Sequence, residues 1–180
     1  MVNGVRRIVT GHDKDGNAII VMDDIAPNVR VRKESNVVST VMWREFATPA
    51  VLDDRNGVKD LSLGEVALSA PPQGNVFRIV EFGPEPKAVT LADAERLARE
   101  IGAAPGSAGK PPRHPGIHRT DSIDYVVILD GEMDMLVDKG EVRVRAGDVV
   151  IQRGTNHAWV NRSGKPCRIG IVLIDAKVPR

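Results

Sequence analysis

The sequence predicts a mostly β chain whose last third closes into a barrel or a pair of facing sheets. Three observations predict it. From residue 125 to 175 six strand-length runs, YVVILDG, EMDMLVDKG, EVRVRAG, DVVIQRG, HAWVNRSG and CRIGIVLID, follow one another with glycine turns between them. A meander of that length cannot leave its edges bare, and closure removes them. The first half is also built of short β-branched runs, and a single segment carries helical periodicity.

Taken in chain order, RRIVT and NAIIVM flank GHDKDG, whose Asp-Gly pair suits a tight reversal, so residues 6–22 read as a β-hairpin. DKDGN superficially resembles a calcium loop, but its glycine comes too soon after Asp13 and no glutamate follows at the required position; it reads as a turn. VVSTVMWREF, EVALS and VFRIVEF continue the strand pattern, punctuated by PAVLDDRNG and SAPPQGN. In TLADAERLAREIGA, Leu91, Ala94, Leu97, Ala98 and Ile101 fall at helical spacing. Thr90 and Asp93 form a capping box and Gly102 is a stop, which predicts a helix over 91–101. The Pro/Gly-rich stretch 102–116 then reads as a surface loop, placed to act as a lid. These elements divide the chain into residues 1–75, an N-terminal β arm with loops packing on the barrel, and residues 76–180, the barrel with the helix and loop inserted.

Composition narrows the function classes. Lys and Arg total 25 against 24 Asp and Glu, interspersed, so no charge surplus favours nucleic acid or an anionic membrane. No run approaches the roughly 18 apolar residues of a membrane span, and MVNGVRRIVTG lacks an apolar secretion segment, so a soluble, cytoplasmic protein is expected. Cys167 is the one cysteine, which removes internal disulfides and cysteine zinc sites and reads as a small buried hydrophobe.

The chemistry concentrates near PGIHRTDSIDYVVILDG. Strand side chains alternate between faces, so His118 and Thr120 share one face and Asp124 groups with Val126 and Ile128. The same alternation in HAWVN groups His157, Trp159 and Asn161, leaves Tyr125 on the opposite face, and sets Met133 and Met135 on one face as barrel filler. Two imidazoles and one carboxylate from separate strands, His118, Asp124 and His157, form a three-ligand set for a divalent metal ion, with positions open to water and substrate. Singly, His118 also reads as a structural histidine, and Asp124 as a turn cap or a partner of Arg119 or Arg143. Arg119 and Arg153 flank these residues as solvated side chains or as clamps on a substrate carboxylate. Trp159 reads as core or as a substrate platform.

These same residues resemble the cupin superfamily. Its first motif sets a histidine pair spaced by one residue before a glutamate, with a glycine seven residues on; here His118, Thr120, Asp124 and Gly131 keep that spacing. Thr120 replaces the second histidine and Asp124 the glutamate. Its second motif runs from glycine through proline, glycine and histidine to asparagine, and is met by Gly147, Gly154, His157 and Asn161, with Gln152 in the proline's place one residue early. The resemblance covers residues 110–175 and implies a small single-domain cupin with a degenerate first motif. The implied fold is a cupin-type double-stranded β-helix, a jelly-roll barrel, with the N-terminal hairpin arm and one inserted helix.

The resemblance also implies a divalent metal ion, Zn, Fe(II), Mn or Ni. An enzyme built on it would act on a small organic acid or polar aromatic metabolite by decarboxylation, dehydration or isomerisation. His114, Thr120 or Asp121 would move the proton, and Arg119, Trp159 and Arg153 would contact the substrate. His114 is also within reach as a replacement ligand. Two other functions fit the same residues: a non-haem Fe(II) dioxygenase, and a metal-free binding module. Barrels of this kind commonly pair, so a homodimer is expected. The hairpin would either extend a neighbour's sheet or fold over its own barrel.

Overall fold

The computed structural model describes residues 4–54, 57–65, 67–86, 104–105 and 113–177. The helix predicted over 91–101 and most of the loop 102–116 lie outside the described residues. Among the described residues the chain is β throughout, and none forms a helix long and apolar enough to cross a membrane.

The hairpin forms as the Asp-Gly signal predicts. β1 (Arg6–His12) pairs antiparallel with β2 (Ala18–Ile25) in a two-stranded sheet of its own. Asp13 Oδ1 accepts the backbone N–H of Asp15 and of Asn17, both at 2.9 Å, so its carboxylate closes the turn and makes no ion loop. Two residues dock the hairpin: the His12 backbone N–H donates to Asp54 Oδ2 at 2.8 Å, and Arg7 makes the larger set of contacts. The guanidinium of Arg7, 4% exposed, donates to Asp24 and Asp60, and to Ser62 Oγ at 2.8 Å. These contacts tie the hairpin to its own chain.

Two larger sheets make the barrel walls. One holds β3 (Asn28–Arg32), β4 (Val37–Glu45), β5 (Asn75–Phe82), β8 (Ser122–Asp130), β11 (Val149–Arg153) and β13 (Cys167–Asp175) in the order β11-β8-β13-β5-β4-β3. The other holds β6 (Ala104–Pro105), β7 (His118–Arg119), β9 (Glu132–Val137), β10 (Glu141–Arg145) and β12 (His157–Val160) in the order β10-β9-β12-β7-β6. β3 and β4 continue the wall directly, because β4 pairs with β5 along its length. Within the predicted loop 102–116, Ala104 and Pro105 pair with Arg119 and His118.

Alternation places the core between the sheets. Val76 and Val80 of β5, Val126 and Ile128 of β8, and Ile169, Ile171 and Leu173 of β13 meet Met133 and Val144 from the facing sheet. Each such burial contributes about 1.5–3 kcal/mol. The opposite parity is left outside, and Tyr125, Val127 and Leu129 are exposed as their spacing predicts. Between β8 and β9 the chain reverses at Gly131, whose φ is +75°; an added Cβ there would lie 2.5 Å from the Pro166 carbonyl oxygen. Glycine is needed for both reasons.

Candidate active site

β7 and β12 pair so that His118 lies directly opposite His157, their ring centroids 4.5 Å apart and the planes tilted by 51°. Each ring is fixed from its own strand. His118 Nδ1 lies 2.9 Å from the Gly116 carbonyl, which only accepts, so Nδ1 carries the proton and Nε2 keeps a lone pair. His157 Nδ1 lies 3.0 Å from the Thr155 carbonyl, which likewise only accepts, so it too carries its proton on Nδ1 and keeps a bare Nε2. The Gln152 amide donates to the same Thr155 carbonyl at 2.8 Å and lies 2.9 Å from His157 Nδ1, while its Oε1 receives the Gly154 N–H at 3.3 Å. Burial lowers the pKa of both rings, His157 to about 4 with a further push from His118, so both are neutral at pH 7. The pair thus offers two Nε2 lone pairs.

Asp124 comes from the other wall. It is 1% exposed on β8, in register with Gln152 of β11 and Leu173 of β13. Ser122 Oγ lies 2.5 Å from Asp124 Oδ1 and 2.9 Å from Thr120 Oγ1, so the single Ser122 proton goes to the carboxylate and Thr120 donates to Ser122. Burial raises the Asp124 pKa to about 6, against the opposing pull of the Ser122 hydroxyl and the Arg78 charge. Thr120, 3% exposed, is the far end of this hydroxyl chain. It stands where the first motif has a histidine, and its hydroxyl meets Ser122.

The three-ligand set His118, Asp124 and His157 does not assemble. Among the described residues no group of three His, Cys, Asp or Glu side chains is placed to hold a metal ion. The reason is partner choice: the histidines pair across one sheet, while Asp124 is engaged by Ser122 and faces the Arg78 charge on the other.

Of the other expected residues, Trp159 packs on the core and sets its indole edge-on to His157, centroids 6.3 Å apart, so it walls the site. His114 does not enter it. Its Nδ1 accepts the Gly116 N–H at 3.0 Å and its Nε2–H donates to Glu85 at 2.8 Å. Asp121 is exposed and pairs with Arg119 at 3.9 Å. Arg153 is exposed, whereas its strand neighbour Gln152 is buried, so alternation turns Arg153 outward and away from a substrate inside. Asn161 staples a turn, donating to the Phe82 and Lys165 carbonyls. Sequence reasoning missed the roles of Ser122, Gln152 and Arg78. Ser122 shares parity with Asp124, and Arg78 is the charged residue between Val76 and Val80 on an inward face; those were the available signals.

Residues 101–174 match the family described as Cupin domain. The chain is 29% identical over 175 residues to a cupin-domain-containing oxidoreductase of Aspergillus ruber, covering 95% of this chain and 72% of the relative. It is 28% identical over 185 residues to a cupin-domain-containing oxidoreductase of Neurospora crassa, covering 97% and 78%. Among solved structures it is similar to a Cupin 2 conserved barrel domain protein from Salinispora arenicola, with 15% identity, a TM-score of 0.41 and coverage of 83% and 82%.

Proposed function

We propose, from the match of residues 101–174 to the Cupin domain family, that the chain is a cupin and a proton-transfer enzyme of the lyase or isomerase type. The substrate class is a small organic acid or polar aromatic metabolite with a C–H beside a carbonyl. The observation that carries this reading is the neutral pair of imidazoles, His157 buried and His118 half-buried, each with Nδ1 beside a backbone carbonyl and Nε2 bare. His118 Nε2 takes the proton from carbon, and the imidazolium so formed stands beside the enolate. A general base of that kind is worth about 10²–10⁴ in rate. Asp124, with a pKa near 6, stores or returns a proton through Ser122 and Thr120 at neutral pH. Enclosure by Trp159 and the core keeps bulk water from the enolate.

The test is exchange in heavy water. Pyruvate, oxaloacetate, 2-oxoglutarate and phenylpyruvate are incubated with the full chain, and deuterium at the carbon beside the carbonyl is read by proton NMR. Catalysed exchange of at least one acid is expected, falling by about 10²–10⁴ in His118→Ala. Absence of exchange from the whole panel rejects the reading.

A second reading has its own support. The relatives above are named oxidoreductases, which favours an oxygen-using enzyme. Oxygen uptake after addition of Fe(II), with the same acids present, separates the two: uptake that His157→Ala abolishes replaces the first reading by the second.

A further inference from the structure

Arg78 is a cation in an apolar wall. It occupies an inward position of β5 between Val76 and Val80, both of the core cluster, and is 5% exposed. Its Nη2 donates to the Ala67 carbonyl, which straps a loop to the sheet, but its Nε–H is buried with no hydrogen-bond partner among the described residues. An unpaired donor on a buried guanidinium costs about 1–3 kcal/mol or more, so a persistent one implies an acceptor that comes and goes.

The surroundings name the sign of that acceptor. Register places two further arginines on the Arg78 face, Arg44 donating to the Leu61 and Glu65 carbonyls and Arg30 exposed on the edge strand. Arg44 of β4 lies opposite Val76, and Arg30 of β3 opposite Ser39, which in turn lies opposite Val80. Arg78 lies opposite Ile171, which lies opposite Val126 two residues on from Asp124; Asp124 lies opposite Gln152, whose amide is 2.9 Å from His157 Nδ1, so register links the guanidinium to the histidine pair across one interior face. Asp124 is the carboxylate whose charge opposes them there, and burial raises its pKa to about 6.

We infer that Arg78 binds the carboxylate of a small organic acid inside the barrel, its Nε–H and the adjoining guanidinium edge supplying the fork that such a group matches. This rests on the proposed use of the barrel interior as the active site, and adds to it which end of the substrate is held by β5. The strap to Ala67 fixes the guanidinium plane, so the fork is organised before the acid arrives.

The experiment uses the full chain with labelled arginine, titrated separately with acetate, succinate and benzoate at constant ionic strength set by chloride. The Arg78 Nε–H resonance is followed by NMR. A saturable shift with at least one carboxylate is expected, together with a tenfold or greater loss of affinity in Arg78→Lys at an unchanged melting temperature; lysine keeps the charge but not the fork. Should Arg78→Lys fail to fold, the wild-type resonance alone decides. A silent Nε–H across the panel, or equal affinity in a folded Arg78→Lys, overturns the inference. Binding that shifts Arg78 in a chain catalysing no proton exchange refutes only the catalytic reading. Exchange with Arg78 silent refutes only the carboxylate site.

Discussion

Asp124 and His157 face the same interior and respond to it in opposite directions. For Asp124 the folded-state pKa, about 6, lies above the ordinary 3.8, so the folded protein keeps a proton that the unfolded chain has released. The associated stability is full below about pH 4 and is lost as pH rises through 6. Asp124→Asn is therefore expected to raise stability by about 1–3 kcal/mol at pH 8 and leave it unchanged near pH 4, measured by urea unfolding at the two values. Its proton-exchange activity should fall. For His157 the folded pKa, about 4, lies below the ordinary 6.5, so the matching stability is present above 6.5 and is lost as pH falls through 4. His157→Gln should flatten that acid limb of the urea midpoint against pH, and a limb of unchanged slope would show that the ring is not desolvated as described.

Docking of the hairpin rests mainly on Arg7, and the ion pairs that hold it are partly protected from water. Arg7 beside Asp60 holds that carboxyl down to about 2, so the stability it contributes is present above the ordinary 3.8 and is lost as pH falls through 2. Asp60→Asn removes the charge and leaves Asp24, 43% exposed, as the remaining carboxylate on Arg7. The expected loss is about 1–3 kcal/mol, seen as faster amide exchange in β1 and β2 with β8 to β13 still protected. Equal loosening everywhere would mean that the hairpin and barrel unfold as one unit. At the β8–β9 turn, Gly131→Ala combines a positive φ with a contact on backbone, and a destabilisation of about 2 kcal/mol or more is expected in thermal melts.

On the whole molecule, the outer face of the six-stranded sheet exposes Tyr125, Val127 and Leu129 on β8 with Val149 and Ile151 on β11. Adjacent apolar side chains on neighbouring strands form one patch, which is the support for the homodimer expected from the sequence. That pairing is a proposal. Sedimentation of the wild type is expected to give twice the chain mass, and Val127→Glu to give the monomer; a monomeric wild type disposes of it. Arg7, bound to Asp60 and Ser62 of the same chain, supports the alternative in which the hairpin folds over its own barrel.

The sequence by itself determined the six strands of the last third, the hairpin turn at Asp13, the turn glycines and the parity of His118, Asp124 and His157, because period-two alternation and positive-φ glycines are local properties; EVALS, read as strand-like, forms none among the described residues, and β3 was not foreseen. It also carried the cupin resemblance, since both motifs keep their spacing. Which of those residues meet was decided only by tertiary structure. Pairing of β7 with β12 joins the two histidines, whereas Asp124 belongs to the opposing sheet, where Ser122 and Arg78 reach it first. Spacing along a strand fixes the face of a side chain and leaves open its neighbour across the barrel, since that depends on strand order and register between segments far apart in the chain.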